Sequence, residues 1–418
     1  MSQGPFQELV VAEGHLIDSQ LLSRIFDKIL ERGGTYEVVE FTIGKTTEEP
    51  SRVCLRLYAE GERQLSALVE QLVPLGCRLQ SESDARVEVC TREGCAPLEF
   101  YSTTNHRTQV RLGGRWQAVA SQRMDAAIVV LAGQPLCRKL RDLRRGDAVV
   151  VGHEGVRVIP EAATREKHQF AFMANDISSE RRVEVSVARV VELLRDARSK
   201  GERIVFVAGP VVVHTGAAEA FMELIRRGWV DALLSGNALA VHDVEVQLYG
   251  TSLGVSARTG APVEEGHKHH MRAINAIRHA GSLQAAVEQG VLRGGVMHAC
   301  VTHHVPFVLA GSIRDDGPLP DTVMDLVAAQ DAYARALEGA GVVVMLSSML
   351  HAIGVGNMLP SWVRVVCIDI NPAVVTKLSD RGSSQTIGIV TDVGLFLQQL
   401  VRQLAQPSAS PSSSSSGA

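Results

Sequence analysis

The sequence predicts an α/β protein of three parts: a split-βαβ (ferredoxin-like) module, a small β-rich subdomain and a domain built on a parallel sheet. Three observations predict it. Residues 7–80 give strand and helix signals in the order β-α-β-β-α-β. Residues 85–160 break into short alternating runs separated by glycine and polar turns. From about residue 185, continuous apolar strands alternate with helices, the pattern of a sheet covered on both faces.

In the first part, QELVVAEGHL alternates as a strand does, and SQLLSRIFDKILERGG places Leu21, Leu22, Ile25, Phe26, Ile29 and Leu30 at helical spacing before a Gly pair. TYEVVEFTIG and SRVCLRLYAE follow as strands, and ERQLSALVEQLVPLG is a second amphipathic helix ending at Gly76. The expected module covers residues 1–84; its fold hosts many functions and says little about chemistry. The second part, 85–184, holds ARVEVC, TQVRLGG, RWQAVA, AAIVVLAG and RRGDAVVVGHEGVRVIP, the alternation of a small irregular sheet or barrel. The third, 185–404, opens on a long helix and carries strands RIVFVAGP, WVDALLSG, PFVLAGS, GVVVMLSS and RVVCIDI. The Ser/Pro/Gly-rich tail, 405–418, is expected to be disordered.

Composition excludes several classes. Of 418 residues, 45% are hydrophobic, ample for real cores, and the formal net charge is −4, which does not suit a protein that neutralises a phosphate backbone. Aromatics at 4% leave little for base stacking, so no nucleic-acid partner is expected. Seven scattered cysteines in a long chain do not read as a disulfide framework, and the first residues lack the basic start and apolar run of a signal peptide; a cytoplasmic enzyme is expected. Residues 341–359 approach the length of a membrane span. Three glycines, two serines, His351 and Asn357 interrupt them, so a buried strand leading into a glycine-rich loop is the better reading.

The strand ends hold the most informative residues. Gly209-Pro210, Ser235-Gly236-Asn237-Ala238, Arg314-Asp315-Asp316-Gly317, Met349-Leu350-His351-Ala352-Ile353-Gly354 and Asp369 each follow an apolar strand. Glycine lets backbone approach a ligand closely and offers N–H donors to phosphate. A turn alone explains glycine in any single loop; five such ends on one sheet point to a nucleotide crevice. Asp369 at a strand tip can accept both ribose hydroxyls of NAD, or it can serve as a helix N-cap before Asn371-Pro372. It stands 15 residues after Gly354, and the sixth position of a dinucleotide fingerprint begun there is Leu359, so the spacing is not that of an ordinary Rossmann βαβ unit.

Other patterns carry less. Gly44-Lys45-Thr46 has Val39 where a P-loop requires glycine, and Cys90 and Cys95 have no second pair. His269-His270 and His303-His304 are adjacent pairs, whose side chains diverge, so no metal is expected. Glu264, Lys268 and His269 precede a helix and suit carboxylate binding or proton transfer; a solvated helix start reads the same way. The run from Phe100 to Arg111 is dense in hydrogen-bonding side chains, and Asn105 and Arg111 suit a zwitterionic amino acid, Arg111 by a bidentate grip on a carboxylate. A soluble surface loop has the same composition.

ELVVAEGHLIDSQLLSRIFDKI, FYSTTNHRTQVR, SGNALAVHDVE, AGSIRDDGPLPD, SSMLHAIGVGNMLPSWV and CIDINPAVVTKLSDRGSSQTIGIVTDVGLFL together resemble one family across nearly the whole chain. It is built on the region shared with lysine-ketoglutarate reductase/saccharopine dehydrogenase (LOR/SDH) enzymes, and includes archaeal-type ornithine cyclodeaminases and the C-terminal module of cyanobacterial arginine dihydrolase fusions. The resemblance implies a deoxyhypusine-synthase-like NAD-binding sheet. By matching motifs, NAD would lie against Asn237, Ala238, Asp315, Leu350, His351 and Ala352, with Asp369 on the ribose and Asp392 and Val393 completing the pocket. The implied reaction has no net redox change: ornithine lends a hydride from C2 to NAD, closes its ring, loses ammonia and regains the hydride as proline. Glu264, Lys268 and His269 are the expected bases. The arginine-hydrolysing module of the fusions has no counterpart in these 418 residues, so that activity is not expected. Two other readings stay open: another NAD-dependent amino- or imino-acid oxidoreductase, and a non-catalytic regulator responsive to NAD and amino acid. The expected partners are a small amino acid and further copies of the chain in a homo-oligomer, with no membrane.

Overall fold

Contacts between Cα atoms divide the chain into two units, one holding residues 1–173 and 357–362 and the other 174–356 and 363–418. The computed structural model describes residues 5–17, 20–44, 49–79, 83–159, 179–252, 255–256, 263, 268–315, 317–381 and 386–406.

The first unit opens with β1 (Phe6–Gly14), α1 (Leu21–Glu31), β2 (Thr35–Thr42), β3 (Ser51–Ala59), α2 (Glu62–Leu72) and β4 (Arg78–Leu79). The strands form an antiparallel sheet in the order β2-β3-β1-β4, the split-βαβ arrangement read from the sequence. Ile25 and Ile29, four apart on α1, are fully buried, as the amphipathic spacing requires. Then come β5 (Arg86–Val89), β6 (Arg107–Leu112), β7 (Arg115–Ala118), β8 (Ala127–Leu131), β9 (Gln134–Arg138), β10 (Ala148–Val151) and β11 (Val156–Ile159). They pair as β5-β10-β8-β9 and β11-β6-β7. The sequence separates this part from the first, yet contacts join them, and the pleat shows why. Ile128 and Val150 point one way, into the same core as Val10, Leu55 and Leu57. Their neighbours Ala127, Val129 and Val149 point the other way, to a smaller cluster with Cys90 and Leu143. Residues 357–362 return from the far side of the chain: the Ser361 N–H donates to the Asn105 carbonyl at 2.8 Å, and the Arg107 guanidinium lies 4.5 Å from the centre of the Trp362 ring.

The second unit begins with α3 (Ser179–Ser199), β12 (Arg203–Ala208), α4 (Val211–His214), α5 (Ala218–Arg226), β13 (Ala232–Gly236) and α6 (Asn237–Tyr249). A short β14 (Thr251–Ser252) and β15 (Val255–Ser256) precede α7 (His269–Ala280), α8 (Leu283–Glu288) and α9 (Gly295–Thr302). Then follow β16 (Phe307–Ala310), β17 (Thr322–Val323), α10 (Leu326–Ala336), β18 (Ala340–Leu346), α11 (Met349–Gly356), β19 (Arg364–Asp369), α12 (Pro372–Arg381), β20 (Thr386–Val390) and α13 (Val393–Leu404). Seven strands pair in parallel in the order β17-β16-β13-β12-β18-β19-β20. Setting aside the edge strand β17, this is the 3-2-1-4-5-6 order of a doubly wound Rossmann sheet. The missing fingerprint therefore concerns a loop and not the sheet. β18 is buried at every position, as a central strand covered on both faces must be.

One expectation is corrected here. The glycine-rich loop read after β18 is a helix, and Gly354 and Gly356 lie in its last turns. The apolar run from Met349 to Ile353 sustains a helix that buries Ala352 and Val355, and this packing offsets the weak helical preference of glycine. The tail expected from residue 405 lies, from 407 onward, outside the described residues.

Asp243 anchors α9 from inside the fold. This carboxylate is almost fully buried and accepts the Val296 and Met297 N–H groups, each at 2.8 Å. Gly295 before them has φ +92°, and a Cβ there would stand 2.6 Å from the carboxylate oxygens, so only glycine fits. Burial lifts the Asp243 pKa to about 6 against the opposing pull of the two N–H groups.

Candidate functional site

Strand order turns back between β12 and β18, and sheets of this kind bind ligands at the carboxyl ends of the strands beside that reversal. The two loops meet there. Gly209, after β12, donates its N–H to the Leu346 carbonyl at 2.9 Å, and a Cβ at Gly209 would collide with the Ser347 carbonyl. Ser347, after β18, has φ +42°, a left-handed conformation rare for a residue with a side chain and characteristic of functional turns.

Next to this reversal stands His351, half-buried on the first turn of α11. Tyr333 on α10 donates its hydroxyl proton to the Ser235 carbonyl at 2.6 Å, and the same oxygen lies 3.1 Å from His351 Nδ1. A hydroxyl has one proton, so Nδ1 must be the donor of this second contact. The neutral ring then carries its hydrogen on Nδ1 and a lone pair on Nε2. Nε2 has no hydrogen-bond partner among the described residues and sits over Gly236, where a Cβ would approach it to 2.6 Å. Burial pushes the His351 pKa down against the pull of Asp315, so at neutral pH the ring is an acceptor.

Asn237 and Asp315 hold the loop after β16. The Asn237 amide donates to Asp315 Oδ1 at 3.2 Å, and its oxygen accepts the Leu319 N–H at 3.1 Å and the Thr322 hydroxyl at 3.0 Å. Asp315 Oδ2 accepts the Ser312 N–H at 2.6 Å. Both side chains are occupied by the fold, so the helix start at Asn237 and the exposed Ala238 offer a ligand backbone N–H groups rather than side chains.

Asp369 ends β19 and is 6% exposed. One oxygen accepts the Asn371 N–H at 2.8 Å; the other has no partner among the described residues. Capping of α12 falls to Asn371, whose side chain accepts the Ala373 N–H at 3.0 Å, so the N-cap reading of Asp369 is replaced by a turn. Asp392 caps α13, accepting the Leu395 N–H at 2.9 Å, with Val393 buried behind it. Leu350 is 72% exposed and Ala352 is buried. Ile313, Met324, Met349, Ile370 and Val390 join Leu350 as exposed apolar side chains on this carboxyl edge.

The remaining sequence candidates stand on other elements. Glu264 is outside the described residues. Lys268 caps α7, and His269 begins that helix with Nδ1 2.8 Å from the Thr251 hydroxyl. Arg111, in the other unit, is 3.0 Å from Asp84, which also accepts the Gly114 N–H, so its guanidinium already ties a hairpin. Asn105 contributes its carbonyl to Ser361. Sequence reasoning missed Tyr333, a single hydroxyl on the buried side of an ordinary helix; it also missed Glu245 and Thr251, discussed below. The signal for Glu245 was a charged residue on the inward face of HDVEVQ. Among the described residues no cluster of three or more His, Cys, Asp or Glu could hold a metal ion, and no helix is long and apolar enough to cross a membrane.

Comparison with known proteins covers most of the chain. The model of the LOR/SDH bifunctional enzyme conserved region matches residues 7–106; the first region of the ArgZ-like arginine dihydrolase C-terminus matches 107–187, and its Rossmann-fold region matches 187–400. A Methanocaldococcus jannaschii protein named ornithine cyclodeaminase is 48% identical over 96% of both chains. The bifunctional arginine dihydrolase/ornithine cyclodeaminase AgrE of a Nostoc species is 49% identical over 95% of this chain, which spans 58% of that longer protein. Among solved structures, apo ArgZ from cyanobacteria superposes with a TM-score of 0.84 at 45% identity, over 96% of this chain and 58% of its own. The complex of AgrE with ornithine and NAD+ superposes with a TM-score of 0.52 at 47% identity, over 96% of this chain and 57% of its own. The chain belongs to the family that joins the LOR/SDH conserved region to the ArgZ-like C-terminal domains.

Proposed function

We propose that the chain is an ornithine cyclodeaminase that converts L-ornithine to L-proline and ammonia with NAD as its cofactor. The observation that carries this reading is a relative 47% identical over 96% of this chain, bound to ornithine and NAD+. The residues of the carboxyl edge fit such a cofactor. Asp369 has one carboxylate oxygen to spare for a ribose hydroxyl, and its charge disfavours a phosphate there. The start of α6 at Asn237 and Ala238 offers N–H groups to the diphosphate, and Gly209 and Gly236 keep the approach clear. His351 presents a neutral acceptor nitrogen beside them, and Leu350, Ala352, Asp392 and Val393 would flank the cofactor. NAD, when bound, serves as the reversible acceptor of the substrate's C2 hydrogen with its electron pair. The protein must bind and orient an amino acid, exclude water from a hydrolysable imine, and move protons at two amino groups. Asn105 and Arg111 are the proposed substrate contacts; Glu264, Lys268 and His269 are the proposed bases.

Incubation with ornithine and a catalytic amount of NAD is expected to yield proline and ammonia in equal amounts. NADH accumulating in proportion to substrate would instead identify a dehydrogenase, and ligand-induced stabilisation without turnover a regulator. We further propose a cytoplasmic location, which suits seven free thiols, and a homo-oligomer, for which the exposed Val38, Val39 and Phe41 of the edge strand β2 supply contact surface. A light-scattering mass equal to one 45.0 kDa chain would rule the oligomer out.

A further inference from the structure

Glu245 on α6 carries a fully buried carboxylate with two imidazoles leaning on it. Its Oε2 lies 3.1 Å from Nδ1 of His242, three residues earlier on the helix. Its Oε1 accepts the Thr251 hydroxyl at 2.9 Å, and that hydroxyl oxygen lies 2.8 Å from His269 Nδ1. Tyr249 stacks on the His269 ring with centroids 5.0 Å apart. His214 at the end of α4 stands 4.9 Å from the His242 ring, with its Nδ1 2.6 Å from the Ser252 hydroxyl.

With Glu245 ionised, counting protons sets the direction of the bonds around it. An ionised carboxylate only accepts, so His242 gives it an Nδ1–H and Thr251 gives it the hydroxyl proton. Thr251 has no second proton, so it accepts from His269 Nδ1–H. Each neutral imidazole is thereby left with a lone pair on Nε2, and neither Nε2 has a partner among the described residues. A ring anchored at Nδ1 by an anion, directly or through a hydroxyl, is oriented as a base and stabilised once it takes up a proton.

We propose that Glu245 and Thr251 are positioning residues for His269, whose Nε2 exchanges the proton of the substrate's amino groups. The inference rests on the cyclodeaminase reading above. An ammonium N–H bond breaks, an Nε2–H bond forms, and the amine keeps the electron pair. The charge gained by the ring is opposed through Thr251 by Glu245. The same proton returns when the departing nitrogen leaves as ammonia, so the ring ends as it began. Among the described residues, the groups facing His269 and His242 include Glu245 and Tyr249 from α6 and His214 from α4, with Lys268 at the helix start.

The test separates positioning from mere support. Glu245→Gln is expected to lower kcat for ornithine about 10- to 100-fold, with the NAD dissociation constant within about twofold of wild type. The acidic limb of its kcat profile should move to lower pH, because the anion that favours the imidazolium is gone. Thr251→Val should match it, and Thr251→Ser should restore turnover. Histidine 15N NMR of the whole protein should show His269 protonated at Nδ1 in wild type and mixed tautomers in Thr251→Val. An unmoved pH limb, no rescue by serine, or an Nε2–H tautomer in wild type overturns the proposal. Wild-type protein that makes no proline condemns the cyclodeaminase reading instead, and the tautomer measurement still judges the geometry.

Discussion

Two carboxylates of the sheet unit, Asp243 at the junction of α6 and α9 and Asp369 at the tip of β19, have opposite fates. Both are buried, and both accept backbone N–H groups. Asp243 has both oxygens taken by the first turn of a helix and nothing left to offer. Asp369 has one oxygen taken by its own turn and the other without a partner. A saturated carboxylate serves the fold; a half-saturated one at the sheet's carboxyl edge serves a ligand. Burial and residue type do not tell the two apart, but the unused acceptor does.

The sharpest way to break this contrast is to remove each group in turn. Asp243→Ala strands two buried N–H groups that had a charged acceptor, at about 1.5–3 kcal/mol each; urea unfolding should show about 3 kcal/mol or more lost. Unchanged stability would mean α9 is held by something else. Asp369→Ala should weaken NAD binding by about 1–3 kcal/mol, read by calorimetric titration, with little effect on unfolding. The reverse pattern in either variant collapses the distinction. Tyr333→Phe removes the bonds to the Ser235 carbonyl and to His351 Nδ1 and should cost about 1–3 kcal/mol of NAD affinity or stability, the value of two ordinary hydrogen bonds. Smallest of all, Arg111→Ala removes a partly exposed ion pair worth under about 1 kcal/mol of stability, while the KM for ornithine should rise more than the NAD dissociation constant. If KM holds steady, Arg111 only ties its hairpin to Asp84.

Acidity gives the contrast a second axis. The Asp243 pKa is raised to about 6 in the fold, above the ordinary carboxylate value near 3.8. The folded state therefore holds more protons than the unfolded one between these values, and the stability this group contributes, present below about pH 4, is lost as pH rises through about 6. His351 works the other way. Its pKa is depressed, so folding expels a proton, and its contribution is lost as pH falls below the ordinary histidine range near 6.5. Asp243→Asn should flatten the first slope in urea midpoints between pH 4 and 6. A slope identical to wild type would place it elsewhere.

Much of the sheet was legible because fully covered parallel strands are continuous apolar runs, and β12, β18 and β19 are such runs. The split-βαβ module was legible because Ile25 and Ile29 fall at helical spacing and β1 and β3 are apolar runs, although their buried positions are consecutive rather than alternating. α11 was not, since two glycines and a histidine in an apolar stretch read locally as a loop, and only the burial of Ala352 and Val355 makes a helix of them. At the site, strand ends flagged Asn237, Asp315, His351 and Asp369. Their division of labour was hidden, because which oxygen is already spoken for depends on Leu319, Thr322 and Ser312, which carry no local signature. Tyr333 was invisible for a related reason: its partner Ser235 stands on another element.

The six residues 357–362 have a consequence for synthesis on the ribosome. Trp362 gives the Arg107 guanidinium its aromatic face and Ser361 closes on Asn105, yet both follow α11 in the chain. The unit that emerges first cannot be completed until most of the other has been translated. A nascent chain of this protein must hold an unfinished N-terminal unit, with its 357–362 seat open, through the making of five parallel strands. Truncations before residue 357 should leave that seat permanently vacant, which makes the N-terminal unit a poor candidate for expression by itself.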